Sequence, residues 1–279
     1  MRRWFLGAAL GLALAVSAAA DDPPKKDDAP KTPAERLAAI KKETAAAQAE
    51  FYKVVRDLDD KKKEDVEKAE KLYKEFGKKQ EAGFAAALEI AKADPKSDVG
   101  FDALNWMLGN QRTYYLPAGK TALELAAVHQ AANPKLAPTM RMLGYFVPHE
   151  SADSHAAAVA LLKAVTEKNP NRVARAYAAM GLAGLAVRRS AAADFKKAAD
   201  ADKLAAAAET ELEAVLKEYG DSGGTVDVGD WAKGQLFELR NLRVGKVAPD
   251  IAGEDLDEVK FKLSDYRGKV VVIDFWGDW

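Results

Sequence analysis

A proline preceded by Asp or Asn recurs three times along the middle of the chain, at Asp94-Pro95, Asn133-Pro134 and Asn169-Pro170. The three steps are 39 and 36 residues apart. Asp and Asn cap helix starts, and proline at the first helical position loses no hydrogen bond. Each step therefore predicts the start of a helix. Because this spacing is typical of helical-hairpin repeats, we expect an α-solenoid-like array.

The composition also favours a mostly α architecture. Apolar residues make up 48% of the 279 residues but aromatic residues only 8%, and runs such as Ala205–Ala208 allow helices to pack closely. From Pro33 onward, apolar residues recur at intervals of three and four, which predicts a long amphipathic helix. We expect the helical region to cover residues 34–219, with a glycine-rich linker and one short helix over residues 220–243.

Residues 1–20 have the pattern of a secretory signal peptide, with an arginine pair, a short apolar run and small residues up to Ala20. The apolar run is short for a membrane span. We therefore expect cleavage near Ala20, a secreted or periplasmic location, and no stable membrane anchor after cleavage. Residues 21–33 contain four prolines among charged residues, which predicts a flexible linker.

Charge and cysteine content exclude several classes of function. Lys and Arg number 42 against 43 Asp and Glu, a balance that argues against nucleic-acid binding. The chain has no cysteine, so its own residues provide no thiol nucleophile, disulfide or zinc–thiolate site. The three histidines, His129, His149 and His155, lack the spacing of a zinc site. We expect neither a metal nor a cofactor.

The residue pattern changes after residue 243. Val259–Leu263 alternates like a strand, and Ser264–Lys269 predicts a turn or one helical turn. The run Val270–Trp276 is apolar and β-branched apart from one acid, which predicts a central strand buried on both faces of a parallel or mixed sheet. A segment of this length cannot bury both faces of such a strand by itself.

Two motifs lie within residues 244–279, G-K-V-A-P-D-I and F-K-L-S-D-Y-R-G-K-V-V-V-I-D-F-W-G-D-W. Together and in this order they resemble the opening of the thioredoxin-like redoxin family, which includes TlpA-like thiol–disulfide oxidoreductases and AhpC/TSA peroxiredoxins. In that family F-W-x-x-W is normally followed by C-x-x-C. The resemblance thus implies the first part of an α/β thioredoxin-like domain, truncated just before the redox cysteines. The W-x-x-W approach favours the oxidoreductase branch, and the peroxiredoxin branch stays open.

Three residues match functional positions of that family. Asp274 corresponds to a buried acid beneath the active site, which implies that it takes the proton of the resolving thiol. Trp276 and Trp279 correspond to aromatic residues that flank the redox loop. The alternatives are an exposed acid at a strand end for Asp274 and plain packing for the two tryptophans.

Two functional hypotheses follow. In the first, the chain is a fragment of an exported thioredoxin-like oxidoreductase with an antioxidant or disulfide-exchange role, inactive without its cysteines. Its partners are then protein thiols or disulfides, or a redox partner protein. In the second, the chain is a non-catalytic secreted helical-repeat interaction module.

Overall fold

The computed structural model describes residues 32–274, in which nine α-helices precede a two-stranded β-hairpin. The helices are α1 Pro33–Val55, α2 Lys63–Ala93, α3 Asp98–Leu108, α4 Pro117–His129, α5 Ala137–Tyr145, α6 His155–Lys168, α7 Arg172–Phe195, α8 Ala201–Tyr219 and α9 Val228–Asn241. The strands are β1 Ala252–Glu254 and β2 Lys260–Lys262, and short 3-10 turns occupy Gln111–Tyr115, Pro134–Leu136 and Leu263–Tyr266. The mostly α prediction is confirmed. The predicted signal peptide and nearly all of the predicted linker lie outside the described residues.

Helix α1 begins at the residue that the sequence indicates. The hydroxyl of Thr32 accepts a hydrogen bond from the Glu35 backbone N–H at 3.2 Å, and the Glu35 carboxylate accepts one from the Thr32 N–H at 2.8 Å. This reciprocal pair is a capping box, with proline in the first turn. The helix then pairs with α2, and Leu37 and Thr44 are its buried side chains.

The remaining helices pack in succession around one core. Helices α1 to α4 each pack on the next helix in the chain, as do helices α5 to α9, and the two groups are joined by packing of α4 on α6 and of α3 on α5. Helix α5 also packs on α7. Contacts between helices two positions apart are expected when helical hairpins stack. Helices α5 and α7 come especially close, because a Cβ atom at Gly144 would lie 2.6 Å from the Tyr177 carbonyl oxygen. The repeat architecture and the class of repeat both stay predictions.

Side-chain amides join the successive helix-connecting turns at one end of this array. Gln130 Nε2 donates to the Pro95 carbonyl at 2.6 Å. Asn169 Nδ2 donates to the carbonyls of Ala131 and Asn133, at 2.7 and 2.8 Å. We call these residues the turn ladder. It fixes the turns of the α2–α3, α4–α5 and α6–α7 connections against one another.

The three proline steps lie at helix boundaries, but only Asn133 caps the helical turn that directly follows it. Asp94 ends α2, and Ser97 caps α3 instead. Asn169 ends α6, and Asn171 caps α7. The prediction that each step starts a helix is therefore wrong at two of three positions. At the third step the cause is visible, because the Asn169 side chain bonds to the neighbouring turn.

The short helix predicted near residues 229–242 is α9. One side of this helix joins the common core through Val228, Ala232, Leu236 and Leu239. Residues 32–241 thus form one continuous helical unit. No helix in the described part of the chain is both long and apolar enough to cross a membrane.

Candidate functional site

The carboxy-terminal segment that carries the family resemblance begins with a small antiparallel hairpin. Strands β1 and β2 pair so that Ala252 lies opposite Lys262 and Gly253 lies opposite Phe261. The strand predicted at Val259–Leu263 and the helical turn predicted after it are present as β2 and the 3-10 turn Leu263–Tyr266. No residue between 244 and 274 is buried.

Two carboxylates order this hairpin. Asp250 accepts hydrogen bonds from the Ser264 backbone N–H and hydroxyl, both at 2.8 Å. These bonds favour the ionised form and hold the pKa of Asp250 below its ordinary value. Asp255 Oδ1 accepts the backbone N–H groups of Asp257 and Val259, each at 2.9 Å, and closes the turn between the strands.

The run from Val270 does not form the predicted central strand in the described residues. Residues 270–274 have no strand pairing there and all are exposed, with Val270 and Val272 at 97% and 90% exposure. The physical reason is the lack of neighbouring strands, since within residues 32–274 β1 and β2 pair only with each other. A buried parallel strand needs a partner on each edge and cover on both faces. The expectation that this segment cannot bury the run by itself is confirmed for Val270–Asp274.

Asp274 is exposed, so the burial that the family position implies is not present in this structure. Trp276 and Trp279 lie outside the described residues. The structure therefore describes only Asp274 of these three residues, and the site that they would form stays a prediction.

A cluster of charged side chains lies where the helical unit meets the carboxy-terminal segment. Arg243 donates from Nε and Nη2 to the two carboxylate oxygens of Asp194, both at 2.6 Å, and from Nη2 to Asp202 at 3.0 Å. The Arg243 and Asp194 side chains are only 13% and 18% exposed. Hydrogen bonding to Asp194 raises the pKa of Arg243, and the same bonds lower the pKa of Asp194.

The ion pair between Arg243 and Asp194 joins residues 49 positions apart, and no local sequence pattern indicates it. It fixes the point from which the carboxy-terminal segment leaves the helical unit. The arrangement is a structural anchor, because Arg243 is bonded to both carboxylate oxygens of Asp194 and also to Asp202.

The histidines have local partners. His149 Nδ1 lies 2.8 Å from the Ser151 hydroxyl, and His155 Nδ1 lies 2.9 Å from the Pro148 carbonyl oxygen. Within residues 32–274, no group of three or more His, Asp or Glu side chains is arranged to hold a metal ion.

A short stretch of the chain is similar to known oxidoreductases. It is 50% identical over 42 residues to the thiol-disulfide oxidoreductase ResA of Geobacillus thermodenitrificans and 53% identical over 42 residues to ResA of Geobacillus kaustophilus. Each match covers 15% of this chain and 24% of the relative. ResA of Bacillus anthracis is 36% identical over 47 residues, which are 17% of this chain and 27% of the relative.

The chain thus spans about a quarter of the length of the curated relatives it matches. No family model matches the chain, and no solved structure matches it. The local similarity supports a thioredoxin-like relationship for the matched stretch.

Proposed function

We propose that this chain carries the first part of an exported thioredoxin-like thiol–disulfide oxidoreductase, of the redoxin or AhpC/TSA-related kind, joined to a helical interaction region. The observation that carries the proposal is the local similarity to ResA, together with the ordered motifs in residues 244–279. The chemistry needs a cysteine pair, and these 279 residues contain none. The proposal therefore requires a cysteine pair that is not among them.

The proposed reaction transfers two electrons to a client disulfide. One thiolate attacks a sulfur of the client, which forms a mixed disulfide and releases one client thiolate. The second cysteine then attacks the mixed disulfide, so that the enzyme's two thiols become one disulfide and the client's disulfide becomes two thiols. Asp274 takes the proton of this second thiol, and Trp276 and Trp279 flank the redox loop. These roles require further strands to cover the exposed run that begins at Val270.

The proposed partners are proteins with thiols or disulfides, presented to the redox segment by the helical region. The proposed location is secreted or periplasmic, after signal-peptide cleavage near Ala20. Expression with residues 1–20 intact, followed by amino-terminal sequencing of the exported product, tests the location. A mature terminus at Asp21 supports it, and a product that retains Met1 in the cytoplasm contradicts it.

A second candidate function is a non-catalytic interaction module. The observation that favours it is the difference between the two parts, because the helical unit has a continuous core while residues 244–274 bury no side chain. In this alternative the carboxy-terminal segment is a docking tail, and no redox chemistry occurs.

A chimera separates the two candidates. Residues 1–279 are joined to the part of Geobacillus kaustophilus ResA that follows its matched stretch, and insulin reduction is measured with intact ResA as the positive control. We expect turnover by the chimera and none when its cysteine pair is changed to serine. We also expect slower resolution of the mixed disulfide in the Asp274→Asn chimera. A chimera that is inactive while intact ResA is active would contradict the proposed function.

A further inference from the structure

We propose that Arg188 on α7 is the centre of a binding site for a carboxylate of a partner peptide. The site lies on the helical unit and consists of Arg188, Gly184, Trp231 of α9 and Tyr115 in the 3-10 turn before α4, and we call it the arginine site. It goes beyond the proposed redox chemistry and applies to either candidate function, because it involves no cysteine and no residue of the carboxy-terminal segment.

Arg188 has a free guanidinium although charged side chains are close to it. Within residues 32–274 the Arg188 side chain forms no hydrogen bond, ion pair or ring contact. The next residue differs, since Arg189 donates a hydrogen bond to the Glu150 carboxylate. Arg189 and Glu150 thus neutralise each other, and the charge of Arg188 stays uncompensated. Its guanidinium N–H donors are available to an acceptor from outside the described structure.

The Arg188 guanidinium is folded back over the preceding turn of α7. A Cβ atom at Gly184 would lie 3.8 Å from Arg188 Nη1 and also 3.8 Å from Trp231 Cζ2. In the described structure no other side chain outside residues 183–185 comes within 4 Å of that position. The glycine therefore leaves space beside Nη1, next to the half-buried indole of α9, while Arg188 stays accessible to solvent.

Partial burial makes a free guanidinium unfavourable at this place. Desolvation lowers the pKa of Arg188, and the electrostatic effects of Tyr115 and Glu150, which raise this pKa, are smaller. The same effects place Tyr115 and Glu150 near the guanidinium. A partly desolvated charge without a partner costs free energy, and an anion at hydrogen-bond distance removes that cost.

Hydrogen bonds between elements fix the surroundings of Arg188. The buried Ser154 hydroxyl donates to the carbonyl of Tyr114, the residue before Tyr115. The connection between α5 and α6 is thereby attached to the turn before α4. The pair of Arg189 and Glu150 attaches the same connection to α7. A site whose walls are already held in place loses less conformational entropy when a ligand binds.

The side chains at the site favour a singly charged carboxylate with an apolar neighbour. A guanidinium binds a carboxylate through two parallel hydrogen bonds. Only one positive charge is uncompensated, and the nearby Glu150, whose pKa Arg189 lowers, stays ionised and disfavours a doubly charged phosphate. Tyr115 is 58% exposed, and in the described structure its hydroxyl has no hydrogen bond. The rings of Tyr115 and Trp231 offer an apolar surface to the neighbouring group of the ligand.

Titration of the 279-residue chain with four small probes tests the arginine site. The chain carries isotope-labelled tryptophan, and the indole N–H signal of Trp231 in the NMR spectrum is assigned with Trp231→Phe. N-acetylphenylalanine has a free carboxylate beside an aromatic ring, and its neutral amide has the ring alone. The α-amide of N-acetylglutamate carries the carboxylate on a side chain. Inorganic phosphate tests the class of anion.

We expect N-acetylphenylalanine to shift the Trp231 signal with a Kd of about 1 mM, and the amide to bind at least about tenfold more weakly. Arg188→Gln should weaken binding of the acid at least about tenfold. Arg188→Lys should weaken it several-fold, because lysine keeps the charge without the planar pair of donors. Arg36→Gln is the matched control, because Arg36 is an exposed arginine on α1 without a partner in the described residues, and it should bind like the wild type.

The glutamate probe identifies the source of the carboxylate. Tighter binding of N-acetylphenylalanine supports recognition of a peptide carboxy terminus, and tighter binding of the glutamate probe supports recognition of an acidic side chain. Both outcomes agree with the proposal. Because the readout needs no cysteine, an inactive redox chimera leaves this result unaffected.

The absence of a saturable Trp231 shift up to about 10 mM of either carboxylate probe would overturn the proposal. So would equal binding of N-acetylphenylalanine and its amide, or unchanged binding in Arg188→Gln. Phosphate that binds as tightly as the carboxylate probes would also overturn it, since the site would then lack preference for a carboxylate. Far-UV circular dichroism of each variant verifies that the helices remain folded.

Discussion

The substitution Asn169→Ala tests whether the turn ladder stabilises the stacked helices. The Asn169 side chain is 2% exposed and donates hydrogen bonds to the Ala131 and Asn133 carbonyls. The Ala131 carbonyl has no other backbone partner in the described residues, whereas the Asn133 carbonyl also accepts from Leu136. The substitution therefore leaves one buried acceptor without a partner and removes one of the two bonds to a second. It also removes the bond that Asn169 Oδ1 accepts from the Asn171 backbone N–H.

The expected loss is set mainly by the two bonds that Asn169 donates. A buried carbonyl without a hydrogen bond costs about 1–3 kcal/mol, and the second bond contributes about 1 kcal/mol. The free energy of unfolding should fall by about 2–4 kcal/mol, which urea denaturation followed by circular dichroism measures as a midpoint lower by about 1 M. Asn241→Ala is the matched control, because the Asn241 amide bonds only to Phe237 in its own helix. It should change stability by less than about 0.5 kcal/mol.

The variant Asn169→Asp separates hydrogen bonding from packing, because it keeps the shape of the side chain. At pH 7 its carboxylate faces the two carbonyl oxygens, so we expect it to be less stable than Asn169→Ala. Burial and these acceptors raise the pKa of the introduced acid in the folded state. The loss of stability of Asn169→Asp relative to the wild type should therefore shrink as the pH falls through this raised pKa, because the protonated acid can donate one hydrogen bond. A loss for Asn169→Ala no larger than that of Asn241→Ala would refute the reasoning.

Three further predictions address the anchor, the helix crossing and catalysis. Asp194→Asn should lower the free energy of unfolding at pH 7 by about 1–2 kcal/mol, because the charge-assisted hydrogen bonds between Arg243 and the Asp194 carboxylate are lost. The hydrogen bond with Arg243 lowers the pKa of Asp194 below 3.8 in the folded protein. The extra stability of the wild type over Asp194→Asn should therefore be complete above about pH 4 and vanish as the pH falls through the lowered pKa. Urea midpoints measured from pH 7 to pH 2 check this. Gly144→Ala should destabilise the protein by about 1–3 kcal/mol, because the added Cβ meets the α7 backbone. Gly234→Ala has open space around the added Cβ and should stabilise α9 by about 0.5–1 kcal/mol. Thermal denaturation compares the two variants. The 279-residue chain should give no insulin reduction because it has no cysteine, and measurable turnover would contradict this.

Local sequence signals predicted the helices well because they act within one or two turns. Helix α1 begins at Pro33, where the predicted apolar pattern starts, and α9 lies within one residue of its predicted ends. The proline steps were less informative, because a nearby cap or a distant turn competes for the same side chain. Ser97 caps α3 in place of Asp94, and Asn169 bonds to a turn 36 and 38 residues away.

Long-range features could not be derived from the sequence pattern. The Arg243–Asp194 pair depends on how α7 and α9 pack, which no local spacing specifies. The apolar run from Val270 has the composition of a buried strand, but a strand forms only where other strands pair with it. Asp274 is exposed for the same reason, since nothing in the described structure covers that run.

The central claim is that residues 244–279 begin a thioredoxin-like redox domain. The most direct measurement is the coding sequence in the source genome, read in frame past the codon for Trp279. We predict codons for Cys-x-x-Cys immediately after it, followed by the remainder of the domain. A stop codon at that position would contradict the claim and favour the non-catalytic interaction module.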